Sequence, residues 1–271
     1  MSELATIPPG AIEHREPAAA FFDLDRTLIS GSSAFVFGVS AWRAKMLPTS
    51  QFARDARSAL AFKIRGDHRG NVADGVRERI LGAVKGIAQE SLIGLNETIV
   101  PRLLERLRPE ARELLELHRR AGRATYIVSA SPVELVEPLA KALGMTAGIG
   151  TVSEVVDGLY TGNLAGPFCY AEGKVDAIRA VAAREGFDLG QCYAYSDSIS
   201  DLPMLEAVGH PVAVNPDKRL HAIAIRRGWP IVIFARKTKA VVKRTTAAAG
   251  TAALAAGSFA AGYRMRPRRR W

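Results

Sequence analysis

AAAFFDLDRTL, residues 18–28, sets a short apolar run directly against two acids, Asp23 and Asp25. A continuous apolar run that ends in charge reads as a strand covered on both faces, the kind that parallel sheets bury between helical layers. Similar runs follow at 125–130 (TYIVSA), 192–196 (CYAYS), 211–215 (PVAVN) and 230–234 (PIVIF). Between the later runs lie segments of helical period: PEARELLELHRRAG from 109, PVELVEPLAKALG from 132, GKVDAIRAVAAREG from 173 and DLPMLEAVG from 201. This alternation predicts an α/β fold, a parallel sheet in three layers, whose chemistry lies at the carboxyl ends of the strands.

Two stretches break the alternation. Residues 32–108 contain no convincing strand but several amphipathic patterns, such as DGVRERILGAVKGI and VPRLLERLRP, and predict an all-helical insert after strand 1. In TVSEVVDGLYTGNLAG, residues 151–166, Asp157-Gly158 sits between β-prone runs and predicts a hairpin. The resulting division is a leader at 1–17, a core at 18–31 and 109–236, the helical insert at 32–108, and a tail at 237–271.

With 271 residues and 48% apolar side chains, the chain has enough material for one substantial core and a smaller lobe. Cys169 and Cys192 are too few for a disulfide framework, and no Cys/His cluster suggests zinc. The prolines and charges of the first 17 residues do not resemble a signal peptide, so a cytoplasmic setting is expected. The net charge of +10 is concentrated at one end: Arg236 to Trp271 holds ten bases and no acids, leaving 27 bases against 27 acids in the rest. Any anionic surface the chain meets, such as the inner face of the membrane, is therefore expected to be met by the tail at 237–271 and not by the body, and nucleic acid is not the expected partner. The uncharged run at 245–263 is long enough to span a bilayer but too rich in Ala, Gly and Thr to insert well.

Asp23 and Asp25 are separated by one residue of extended chain, so both carboxylates can face one substrate while Leu24 turns into the core. One acid can attack phosphorus while the other protonates the leaving oxygen and then deprotonates water. A D-x-D pair in a surface turn is the plainer alternative. Ser129 ends the run TYIVSA, where a hydroxyl and the amides of a helix N-terminus can hold phosphoryl oxygens. Ser131, before Pro132, is the stronger candidate for the cap of that helix. Lys174 opens a helix where the dipole disfavours a cation, which implies an anion nearby. Asp197 and Asp201, in YSDSISDLPML, add two acids at another strand end, and Asp201 is also placed to cap the helix that follows. Four converging carboxylates repel one another unless a cation joins them, and an all-oxygen set favours Mg2+.

FFDLDRTL, the serine of IVSAS, the lysine of AEGK and YSDSISDLPML together resemble the motifs of the haloacid-dehalogenase superfamily, and the stretch from 122 to 234 resembles its phosphoserine-phosphatase-like hydrolases. The resemblance implies a Rossmann-like core with a helical cap and a Mg2+-dependent phosphatase acting on a small phosphate monoester. It implies Asp23 as nucleophile and Asp25 as acid/base. Ser129, Lys174 and Thr27 are the expected phosphate contacts, and Asp23, Asp25 through its carbonyl, Asp197 and Asp201 form the metal shell. Arg79 is the candidate arginine of the cap for a substrate carboxylate. Ser32 stands nine residues after Asp23, where phosphoserine phosphatases carry a glutamate for the substrate ammonium, so the resemblance does not carry amino-acid selectivity with it. The alternatives are a membrane- or nucleic-acid-associated binding protein with a vestigial site, and a phosphotransferase.

Overall fold

The computed structural model describes residues 17–46 and 72–234, with some side chains between 72 and 83 excepted. The leader, the end of the core beyond 234 and the basic tail lie outside the described residues, and the expectations for them rest on sequence alone.

Strand β1 (Ala19–Phe22) is fully buried and forms the middle of a six-stranded sheet in the order β3-β2-β1-β6-β7-β8, with β7 at His210–Val214 and β8 at Ile231–Val232. Its neighbours β2 (Ala124–Pro132) and β6 (Tyr193–Ser196) run parallel to it, with Phe22 opposite Ile127 on one side and Tyr195 on the other. The pleat then sorts side chains by parity. Phe22, Ile127 and Tyr195 enter one apolar layer, and Phe21, Tyr126 and Ala194 enter the other. Phe22 lies flat on Tyr195, with ring centroids 4.5 Å apart.

Helices cover both faces. On the Phe22 side pack α5 (Pro109–Arg120) and α6 (Val133–Ala142), joined by Ile99 and Leu103 from the insert. The Phe21 side is covered by α7 (Glu172–Glu185), α8 (Leu202–Glu206) and α9 (Lys218–Arg227). The three-layer α/β architecture expected from the alternating runs is the one observed.

The sheet has one strand more than the apolar runs suggest. Strand β3 (Ala147–Thr151) has the sequence AGIGT, which carries no apolar run because its glycines are required by packing. A Cβ on Gly148 would lie 2.5 Å from the Val136 backbone, and one on Gly150 2.7 Å from that of Val133. Helix α6 therefore lies directly against this edge strand.

The insert following β1 consists of α1 (Ser33–Arg43), α2 (Val72–Val84), α3 (Gln89–Gly94) and α4 (Asn96–Leu104), with no strand among its described residues. Antiparallel strands β4 (Ser153–Val156) and β5 (Leu159–Leu164) form the expected hairpin. Asp157 (φ 50°) and Gly158 (φ 77°) both take the left-handed conformation that a tight two-residue turn demands. Tyr160 of this hairpin packs with Val84 and Leu92 of the insert, so the hairpin braces the helical lobe. Among the described residues no helix is long and apolar enough to cross a membrane.

Candidate active site

The Asp23 amide donates to the Tyr195 carbonyl at 2.9 Å, so the parallel ladder fixes where the Asp23 side chain leaves the end of β1. Its carboxylate meets Lys174, whose Nζ lies 2.6 Å from Asp23 Oδ1 and 2.8 Å from Asp201 Oδ2. Thr27 Oγ1 donates to Asp23 Oδ2 at 3.2 Å. Lys174 and Asp201 are each only 2% exposed. Residues 151 and 27 positions apart from Lys174 in sequence are thereby joined by one ammonium group.

The start of α7 explains how the lysine reaches so deep. Gly173 precedes it, and a Cβ there would lie 1.8 Å from the Phe168 carbonyl oxygen. Only glycine lets the helix begin against the 168–170 turn.

Electrostatics at this cluster are dominated by burial. The Asp23 carboxyl is pushed up to about 7, chiefly by burial, with Lys174 opposing and the Asp201 and Asp197 charges adding to the rise. Burial works against the Lys174 charge, but the Asp201 and Asp23 carboxylates outweigh it and drive its pKa upward, so it stays an ammonium. Asp197, which follows β6, is likewise pushed up to about 7 by burial, with Arg26 opposing and Asp201 and Asp217 contributing. Arg26 Nε is 2.9 Å from Asp197 Oδ2. Three buried acids thus share one buried lysine and one arginine that is largely exposed to water.

The predicted site residues do not all gather at one point. Asp23, Thr27, Lys174, Asp197 and Asp201 do, but the Asp25 carboxylate is engaged by the first turn of α1, accepting from the Ser33 amide at 2.7 Å and the Ser32 hydroxyl at 3.1 Å. Asp201 heads α8, yet its side chain makes no cap bond, because Oδ2 accepts from Lys174 and, at 2.7 Å, from Ser196 Oγ. Among the described residues no three acid, histidine or cysteine side chains surround one point closely enough to hold a metal on side chains alone. Lys174 occupies the space between Asp23 and Asp201.

Ser129 is buried in the second half of β2, and its hydroxyl accepts from the Ser131 amide at 3.2 Å. Pro132, and not Ser131, precedes the first residue of α6, and the Ser131 hydroxyl pairs with that of Ser33 at 2.9 Å. Arg79 falls within α2, but its side chain lies outside the described residues. Sequence reading missed Arg26, Ser32 and Ser33 as partners of the acids, and also Asp217. The Asp217 carboxylate caps α9 through the Arg219 and Leu220 amides and accepts from Ile199 N, which steadies the loop after Asp197. Its N-cap position ahead of KRLHAIAIRR was the one available signal.

A family model described as haloacid dehalogenase-like hydrolase matches residues 20–206. A Mycobacterium tuberculosis protein named a probable phosphatase is 42% identical over 262 residues, covering 92% of this chain and 90% of its own. The phosphoserine phosphatase SerB1 of the same organism is 37% identical over 246 residues, covering 90% and 80%. Among solved structures, a Bordetella pertussis protein of unknown function superposes with a TM-score of 0.71 at 29% identity, covering 80% of this chain and 98% of that one.

Proposed function

Since the chain belongs to the haloacid dehalogenase-like hydrolases and is an enzyme of their phosphatase branch, we propose that it hydrolyses a small phosphate monoester through a phosphorylated Asp23, with Mg2+ as cofactor. The observation that carries this reading is the buried Lys174 bridge between Asp23 and Asp201 at the carboxyl end of the sheet. A lysine so placed keeps an ammonium beside the carboxylate that must attack and offers positive charge to phosphoryl oxygens.

The steps follow from the groups present. A carboxylate oxygen of Asp23 attacks phosphorus, and the ester P–O bond breaks as the acyl phosphate forms. Asp25 gives its proton to the departing oxygen. Water then attacks the same phosphorus while Asp25 takes its proton, and orthophosphate leaves as the Asp23 carboxylate is restored. Ser129 and the amides at the start of α6 supply donors for the phosphoryl oxygens.

The donor set fits Mg2+. Every candidate ligand is oxygen, and Asp23 and Asp197 are buried carboxylates whose pKa values are raised chiefly by burial, with neighbouring acids adding to the rise. Mg2+ commonly takes one or two carboxylates and keeps several waters, so Asp23, Asp197 and the Asp25 carbonyl suffice without a closed cage of side chains. When bound, the ion supplies charge neutralisation at the phosphoryl group and lets both acids remain ionised near neutral pH.

Phosphoserine is the substrate that the relationship to SerB1 favours. Ser32 in the place of an ammonium-binding glutamate favours a wider range of esters. Phosphate release from phosphoserine and from glycerol phosphate, with Mg2+ and with a chelator, tests both points. Mg2+-dependent release is expected, with little preference between the two; no release from any of a panel of monoesters would refute the phosphatase reading.

A further inference from the structure

Resting on that phosphatase reading, we propose that Ser32 is the positioning residue for the acid/base Asp25, so that the first turn of the helical insert serves proton transfer and not recognition of the substrate amine. Ser32 occupies the N-cap position of α1, with φ −121° and ψ 133°, yet its side chain makes no bond to a helix amide. An N-cap serine ordinarily accepts from the second or third amide of its helix. Here the hydroxyl turns outward and donates to Asp25 Oδ2 at 3.1 Å.

The first amide of the helix, which an N-cap side chain does not reach, is also bonded to Asp25. The Ser33 amide donates to Asp25 Oδ1 at 2.7 Å, so each carboxylate oxygen has one donor from the same turn. Two donors on two oxygens fix the plane of the carboxylate. Each oxygen retains a second lone pair, which can carry the proton passed to the leaving group. The 11-residue helix also directs the positive end of its dipole at the acid.

The same turn reaches the phosphate side of the site. Ser33 is fully buried, and its hydroxyl pairs with Ser131, whose amide donates to Ser129 Oγ. The insert therefore sets the acid/base and contacts the phosphate-binding loop through adjacent residues. This accounts for Ser32 chemically: a glutamate at 32 would set a carboxylate beside that of Asp25, whereas serine supplies a donor.

Positioning of a general acid shows in the leaving group. An alkoxide needs the proton from Asp25, whereas p-nitrophenolate departs without one. In Ser32→Ala, kcat/KM for glycerol phosphate should fall on the order of tenfold, as for loss of a bond to a charged group. kcat/KM for p-nitrophenyl phosphate should change less than about twofold. Ser32→Thr, which keeps the hydroxyl, should restore the alkyl ester. Proline is accepted at the first position of a helix. Ser33→Pro should therefore repeat the leaving-group dependence by removing the second donor, while Ser33→Ala should not. Equal losses on both esters, or none in Ser32→Ala, would overturn the assignment while leaving the phosphatase reading intact. A wild-type protein inactive on both esters would remove the reading on which it rests.

Discussion

Arg26 holds Asp197 from outside the site, its Nε 2.9 Å from Oδ2 while the rest of its side chain is largely exposed. The backbone there is left-handed, with φ 62°, a conformation that costs a non-glycine residue about 1 kcal/mol. On the proposed reading, Mg2+ would compete with the guanidinium for the same carboxylate. Arg26→Gly should therefore tighten Mg2+ binding by about threefold, the scale of an exposed ion pair, in a calorimetric titration. Unchanged or weaker binding would mean that Arg26 does not oppose the cation.

Lys174 stands between two acids at 2.6 and 2.8 Å, with almost no exposure. Replacing it by methionine keeps the volume but leaves Asp23 and Asp201 buried together without their shared cation. Breaking a buried pair from one side costs about 3–5 kcal/mol, so urea unfolding near neutral pH in chelator should show a loss of that order. Activity should fall at least about a hundredfold. A variant as stable and as active as the wild type would show the bridge to be incidental.

His118 gives the fold a pH dependence unrelated to catalysis. It is fully buried, with Nε2 2.7 Å from Tyr195 Oη, its ring edge-on to Phe22 and Tyr193 and the Arg123 charge nearby. Burial, aided by Arg123, lowers its pKa to about 4 from an ordinary 6.5. Between these values the unfolded chain binds the proton and the folded chain does not. The His118 contribution is therefore complete above about pH 6.5 and is lost as pH falls to about 4, on the order of 3 kcal/mol in all. Thermal melts of His118→Phe should lack this part of the slope, whatever its absolute stability. An unchanged slope would assign the dependence to other groups.

Much of this was legible because the carrying residues follow apolar runs. Asp23 and Asp197 come directly after β1 and β6, and Ser129 lies near the end of β2, so strand reading and site reading supported each other. β3 was not legible, since its glycines answer to the backbone of α6, a contact that no local pattern encodes. Asp201 was placed with the other acids, but the second task expected of it, capping the next helix, is not one it performs. Its position heads a helix, and only the fold reveals that Lys174 and Ser196 draw its carboxylate away from the cap. The partners of Asp25 escaped because Ser32 was read against a substrate-binding glutamate, and only the structure shows its hydroxyl turned to Asp25.

The central claim is covalent chemistry at Asp23. Wild-type protein mixed with a phosphate monoester and Mg2+, quenched in acid during turnover and digested, should yield a peptide containing Asp23 heavier by one phosphoryl group; Asp23→Asn should yield none and should release no phosphate. A phosphoryl group on another residue, or undiminished hydrolysis by Asp23→Asn, would contradict the account.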